Sequence, residues 1–236
     1  MVFKVTITTF ICFWQVILNV NGQNINTDSN YKVNAINFFK KNINIQSEIY
    51  NGIVYQPPAN ATKGSVYFEE KNYLVKGDLI FKGILYNDIP LLYDVFNDLM
   101  VAGSPEGVNF ILPATKVSDV YLDGHHFVYL NSNLAKTGFY EKLYGGNIEM
   151  FVKRNKHYSE NVNSQRVEIY YYDEAEIFLK KGNKFIQIKG KISFFDSFQD
   201  KKKELKQYLV DNNINFNKDP EKAIVALLKY YEQIAK

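Results

Sequence analysis

The residues of this chain with chemistry beyond packing are three histidines and two groups of carboxylates. His125 and His126 follow the turn pair Asp123-Gly124, and His157 stands some 30 positions on. Neighbours on a strand point to opposite faces, so the two adjacent histidines cannot both face one metal without a bulge. Zinc sites declare themselves by ligand spacing, which is missing here, and the pair reads as polar residues flanking a turn. No metal and no cofactor is expected. The carboxylates are Asp94 with Asp98, and Asp173 with Glu174 and Glu176. Either group has the residue types for a general acid and base. Glycoside cleavage would need two of them about 5–9 Å apart across a cleft. Asp94 stands out because it interrupts the apolar run Ile89–Phe96, and a buried carboxylate must find a partner. Asp94, Asp98 and His126 are the catalytic candidates, with a structural partner as the expected role of Asp94.

Nucleophile signatures are missing. No Gly-x-Ser-x-Gly elbow occurs, and Gly103-Ser104-Pro105 reads as a loop. Phosphate-loop and dinucleotide fingerprints are absent as well. Asn60-Ala61-Thr62 is formally a glycosylation sequon, relevant only in a eukaryotic host, which is not expected. The remaining candidate surface is aromatic. Tyr170, Tyr171 and Tyr172 on a strand would send two rings one way and one the other, so at least one side is core. The other side, like Phe194-Phe195, has the chemistry to line a glycan or lipid groove.

The elements that hold these residues are mostly strands. The chain carries 18 Tyr and 18 Phe, which together with Val and Ile favour extended structure. From about 47 to 195, short apolar runs alternate with turn signals. Expected strands are 49–55, 65–69, 73–81, 110–112, 117–122, 127–130, 148–153, 166–172, 176–179 and 185–188, with the run 89–96 buried on both faces. Pro90 restricts that run's start to a strand end or an edge. Lys71-Asn72, Asp123-Gly124, Gly145-Gly146-Asn147 and Lys181-Gly182-Asn183 supply turn residues, and connections so short enforce antiparallel neighbours. Over 196–236 the period becomes helical. Ser197 is a cap for a helix burying Phe198, Leu205, Tyr208 and Leu209. Asp219-Pro220-Glu221 starts a second helix with Ile224, Leu227, Leu228, Tyr231 and Ile234 on one side. The expected class is α+β, mainly β: an antiparallel meander sheet, open and curved or partly closed as a barrel, with a C-terminal helical hairpin packed on it.

The first segment, 1–22, has the order of a removable signal peptide. Lys4 is followed by an apolar stretch, Val5–Leu18, and Val20 and Gly22 precede a cleavage site before Gln23. The run is shorter than the roughly 20 apolar residues that span a bilayer, and no later stretch reaches that length. The single cysteine, Cys12, falls inside this segment. The mature domain is therefore expected to be cysteine-free, without disulfides or thiolate chemistry. Residues 23–46 read as a polar N-terminus followed by a short helix over 31–43. Losing Lys4 lowers the formal net charge from +3 to +2. The lysines are scattered, and Lys201–Lys203 sits beside Asp200 and Glu204, so nucleic acid is not an expected partner.

Several segments carry a likeness to known sequences. They are Tyr140–Ile148 leading into Phe151-Val152-Lys153-Arg154, and Asp200–Tyr208 with Phe216, Asp219–Ala223 and Leu228–Tyr231. Ile89–Met100 and Asn51-Gly52 before Tyr55 belong with them. Together these resemble a group of uncharacterised exported β-rich proteins of gram-negative bacteria, in which a β body precedes a lysine-rich helix and a terminal amphipathic helix. The resemblance implies export to the periplasm or outer-membrane surroundings and carries no catalytic residues. The expected function is a non-enzymatic binding or accessory protein of the bacterial envelope, with a glycan, an apolar ligand or an envelope protein as partner. The alternative is an exported hydrolase using carboxylates such as Asp94. An outer-membrane barrel is disfavoured by the terminal helices and irregular strand lengths, since spanning strands need about 9–11 alternating residues.

Overall fold

The computed structural model describes residues 48–58, 61–131, 136–162 and 166–235. The expected signal peptide, Cys12, the helix over 31–43 and Asn60 of the sequon lie outside the described residues. Among the described residues eleven strands form one open antiparallel sheet. They are β1 (Ile53–Val54), β2 (Val75–Phe81), β3 (Ile84–Asp94), β4 (Leu99–Gly103), β5 (Asn109–Ile111), β6 (Val117–Leu122), β7 (His125–Leu130), β8 (Gly138–Gly145), β9 (Ile148–Val162), β10 (Val167–Lys181) and β11 (Lys184–Ile188). Their order across the sheet is β1-β5-β4-β3-β2-β6-β7-β8-β9-β10-β11. Two meanders thus grow outward from β2, one through β3 to β5 and one through β6 to β11.

Turn chemistry explains the hairpins. Lys82-Gly83 and Asp123-Gly124 both carry positive φ, at 51° and 75° and at 51° and 83°, and close two-residue turns between Phe81 and Ile84 and between Leu122 and His125. Positive φ at both central residues matches the natural twist of paired strands. Pro90 sits inside β3 yet keeps to an edge locally. It faces Lys76 of β2, while pairing with β4 starts only at Leu91, so no ladder bond toward β4 is lost.

Several elements differ from expectation. Strands β9 and β10 run unbroken for 15 residues each and pair from Val162–Val167 to Ile148–Lys181. Their polar middles read as loops in the sequence, but Lys156 faces Asp173 and Asn155 faces Glu174, which cross-strand pairing tolerates well. Strand β8 carries no alternation clear enough to announce it. The segments 49–55 and 65–69 shrink to a 3₁₀ turn (Glu48–Tyr50) with the short β1, and to a bridge at Tyr67 followed by a 3₁₀ turn (Phe68–Glu70). In the latter turn Glu69 and Glu70 take positive φ.

Three helices close the fold: α1 (Lys191–Asp196), α2 (Lys202–Asp211) and α3 (Pro220–Ile234). Ser197 closes α1 instead of opening α2, whereas Asp219 caps α3 with Pro220 in the first turn, accepting from Lys222 N–H at 3.1 Å. No helix among the described residues is long and apolar enough to cross a membrane.

One face of the sheet carries two cores. The first gathers Leu79, Phe81, Leu91, Tyr93, Phe127 and Phe139. The second packs Met150, Val152 and Leu179 under helix residues such as Phe194, Phe198, Leu205, Leu227 and Leu228. Strand β8 links them, since Phe139 belongs to the first and Leu143 borders the second. The residue between those two on the same face is Glu141.

Candidate functional site

A glutamate at that position is the sequence's least expected core residue. Alternation places Glu141 inward between Phe139 and Leu143, opposite Phe127 on one side and Val152 on the other. It is 2 % exposed, and a buried carboxylate persists only with partners. His125, two residues before Phe127 on the same face, places Nδ1 2.5 Å from Glu141 Oε1. Arg154, two after Val152, donates from Nε to Oε2 at 2.7 Å. The same guanidinium grips Glu221 of α3 with two bonds of 2.5 and 2.8 Å. Burial disfavours the charge on Arg154, but the bonds to Glu221 and Glu141 outweigh it and raise its pKa further. The pair therefore ties the helical layer to the sheet at the seam of the two cores.

The network continues outward. His125 Nε2 lies 3.3 Å from Glu69 Oε1, whose other oxygen takes Lys71 Nζ at 2.6 Å. Lys71 also pairs with Asp123. Lys156, its side chain fully buried, joins Glu70 at 2.6 Å to Asp173 at 2.7 Å. These pairs hold the 3₁₀ turn Phe68–Glu70 over the sheet. Between them lies a cleft of about 280 Å³ lined by Phe68, Glu69, His125, Arg154, Asp173 and neighbours. A histidine oriented by a buried carboxylate has the form of a general base with its orienting group. Here the free nitrogen already faces Glu69, and no serine, threonine or cysteine is among the described residues that line the cleft.

The carboxylates singled out in the sequence go elsewhere. Asp94 is 0 % exposed and accepts from Tyr55 Oη at 2.7 Å, Asn97 N–H at 3.0 Å and Asn97 Nδ2 at 2.9 Å. Burial first, then hydrogen bonds to Tyr67 and Asp94, push the Tyr55 hydroxyl far above the ordinary tyrosine range. Asp98 serves a different cluster, taking Tyr93 Oη at 2.7 Å and Lys153 Nζ at 2.6 Å. The two do not converge. His126, on the face opposite His125, lies 2.9 Å from Asp119 and stacks on Tyr121 at 4.5 Å. His157 is exposed on β9 across from Tyr172. Asp173 pairs with Lys156, and Glu176 takes Lys136 at 2.9 Å. Among the described residues no three His, Cys, Asp or Glu are grouped to hold a metal.

The tyrosine run divides as alternation dictates. Tyr171 turns inward, 5.1 Å from Phe96 and 5.5 Å from Tyr158 by ring centroid, and borders the small core of Tyr55, Val66, Tyr67, Leu92 and Val101. Tyr170 and Tyr172 share the other face, 6.4 Å apart with planes within 9° of parallel. Tyr172 is 47 % exposed. Ser159 and His157 stand opposite them on β9, and Tyr170 Oη donates to Glu168 at 2.8 Å. The outer half of the hairpin is braced from one side, where residues 62–63 bond to Ile169 and Tyr171.

Glu141, Arg154 and Glu221 escaped the reading of the sequence. No local signal marks Glu141: it is followed by Lys142, and only the register of β8 shows that it falls between Phe139 and Leu143 on the inward face. Comparison with known proteins returned no match to a family model, to a curated protein or to a solved structure.

Proposed function

We propose that this is a non-enzymatic binding or accessory protein of the bacterial envelope, exported through its N-terminal segment, that holds neutral glycan chains on the outer half of the β9–β10 hairpin. The observation that carries this reading is the parallel pair Tyr170 and Tyr172. Two nearly parallel rings spaced by one strand repeat, with Tyr172 47 % exposed, form an aromatic patch against which the C–H groups of a sugar can pack. Glu168, Ser159 and His157 beside them supply acceptors and donors for hydroxyl groups. On this face Glu168 is paired with Arg166 and Glu174 adds a further carboxylate, which disfavours an anionic polymer and leaves a neutral one. Bracing by residues 62–63 keeps the platform ordered before binding, which lowers the entropic cost of association. The test is retention of the full-length protein on insoluble neutral polysaccharides, compared with Y170A/Y172A. Retention lost in a variant that melts like the wild type supports the proposal. Equal retention of both proteins, or none of either, removes it.

A hydrolase is the second reading, favoured by the His125–Glu141 pair in its cleft. It would use water activated at His125, since Asp94 is enclosed. Polymer breakdown that disappears in H125N would establish it. No breakdown by the wild type would remove it.

A further inference from the structure

The helical end of the molecule carries a second surface, unrelated to the hairpin. An open cleft of about 680 Å³ runs along α2 and the segment after it, with Lys191, Lys206, Leu209, Val210, Ile214 and Phe216 among its walls. No carboxylate is among the described residues that line it. Neither Lys191 nor Lys206 forms an ion pair with the described residues, and the Lys206 ammonium lies 5.6 Å from the Phe195 ring centre. By contrast Lys202 is held by Asp196 at 2.9 Å. On α2, Lys203, Lys206 and Val210 recur at three and four residues and so share one face. Ile192 beside Lys191 is 80 % exposed and Val210 is 69 % exposed. Val210 lines the cleft, and Ile192 follows Lys191 at its wall, so each open aliphatic side chain has a basic residue of the cleft near it in the chain.

We propose that this end docks on an anionic lipid bilayer, with Ile192 and Val210 entering the headgroup boundary and Lys191, Lys203 and Lys206 meeting lipid phosphates. Interfacial binding of this kind combines buried apolar area with attraction to anionic lipid. Charge complementarity selects the occupant: a cleft with free ammonium groups and no carboxylate fits anionic headgroups better than a neutral surface. The docking would leave the tyrosine platform free, because Tyr170 and Tyr172 stand on the outer hairpin, outside the helices.

The experiment is co-sedimentation of the full-length protein with vesicles of phosphatidylcholine alone and of phosphatidylcholine mixed with phosphatidylglycerol. Binding to the mixed vesicles only, weakened about 30-fold by K191Q/K206Q, is the expected result. I192S/V210S should also weaken it while the melting temperature stays unchanged. Three outcomes overturn the proposal. They are no vesicle binding, equal binding to both vesicles, and binding that I192S/V210S leaves intact while soluble polyphosphate competes it away. The last would mark a site for soluble anions and not for a membrane. A failed glycan test bears on none of these, since the two surfaces share no residue.

Discussion

Arg154 reaches Glu141 across the seam of two cores, its Nε 2.7 Å from a carboxylate oxygen that solvent scarcely touches. The guanidinium then bonds Glu221 on α3, so one side chain joins β8, β9 and the helical layer. The fold needs such a link because one face of its sheet carries two separate hydrophobic clusters, and β8, β9 and α3 meet at the seam between them.

Replacing Glu141 by Ala should therefore be among the most destabilising single changes. It leaves Arg154 and His125 without their buried partner, and breaking a buried pair from one side costs about 3–5 kcal/mol. Urea denaturation of E141A against wild type measures it. E141Q, which keeps a hydrogen-bonding group of the same shape, should lose less.

Gly138 opens β8 at φ 149°, in the region side chains avoid, and a Cβ there would collide with the Asp98 carboxylate and the Lys153 ammonium. Those two groups form a 2.6 Å pair. G138A should cost about 1–3 kcal/mol through backbone strain and displacement of that pair. Thermal melts of G138A and of D98N, which weakens the pair without touching the backbone, separate the two contributions.

Tyr144 donates to Glu232 at 2.7 Å, and Ile148 N–H adds a bond of 3.3 Å. The Tyr144 bond first, and the backbone N–H groups of Ile148 and Asn147 after it, hold Glu232 below its ordinary 4.5. The same bond pushes Tyr144 up to about 12. A lowered carboxylate gives stability that is complete above pH 4.5 and fades as pH falls through its folded value. A raised tyrosine gives stability that is complete below its ordinary 10 and fades as pH climbs through about 12. Y144F should lose one tyrosine from the phase that titrates near 12 in an ultraviolet titration, and leave the still later ionisation of buried Tyr55 in place. Its stability deficit against wild type should be widest between these limits and narrow at both ends.

The cap of α3 gives a milder prediction. Asp219 accepts from Lys222 N–H, and the Lys222 side chain first, then that backbone bond, hold its carboxyl below the usual range. D219A should cost about 1 kcal/mol, read from the melting temperature, and D219N should recover most of it.

Much of this was legible in the sequence, for reasons that particular residues make plain. Asp123-Gly124 and Asp219-Pro220 act locally, through positive φ and a capped first turn, so the hairpin and the helix start stand where expected. Lys82-Gly83 is an equally local signal, and it divides a run that reads as one strand and a loop. The long hairpin was harder. Its polar middle gains its partners only once β9 and β10 align, so Lys156 and Asp173 look like loop residues until they face each other. The site posed the same difficulty. Asp94 announced itself by interrupting an apolar run, but its partners Tyr55 and Asn97 lie 39 and 3 residues away. The partners of Glu141 lie 16 and 13 residues away, and Glu221, the second partner of Arg154, lies 67 residues from that arginine. Separation of that order is fixed by strand order, and no local pattern reports it.

The most direct test of the binding account is an NMR titration of the full-length protein with a soluble neutral oligosaccharide, following the tyrosine ring signals. The account predicts that the rings of Tyr170 and Tyr172 shift together in a saturable manner, while Tyr55 and Tyr93, buried elsewhere, stay still. Saturable binding that moves other tyrosines and leaves this pair unmoved would contradict it, as would no shift at all across a panel of neutral glycans.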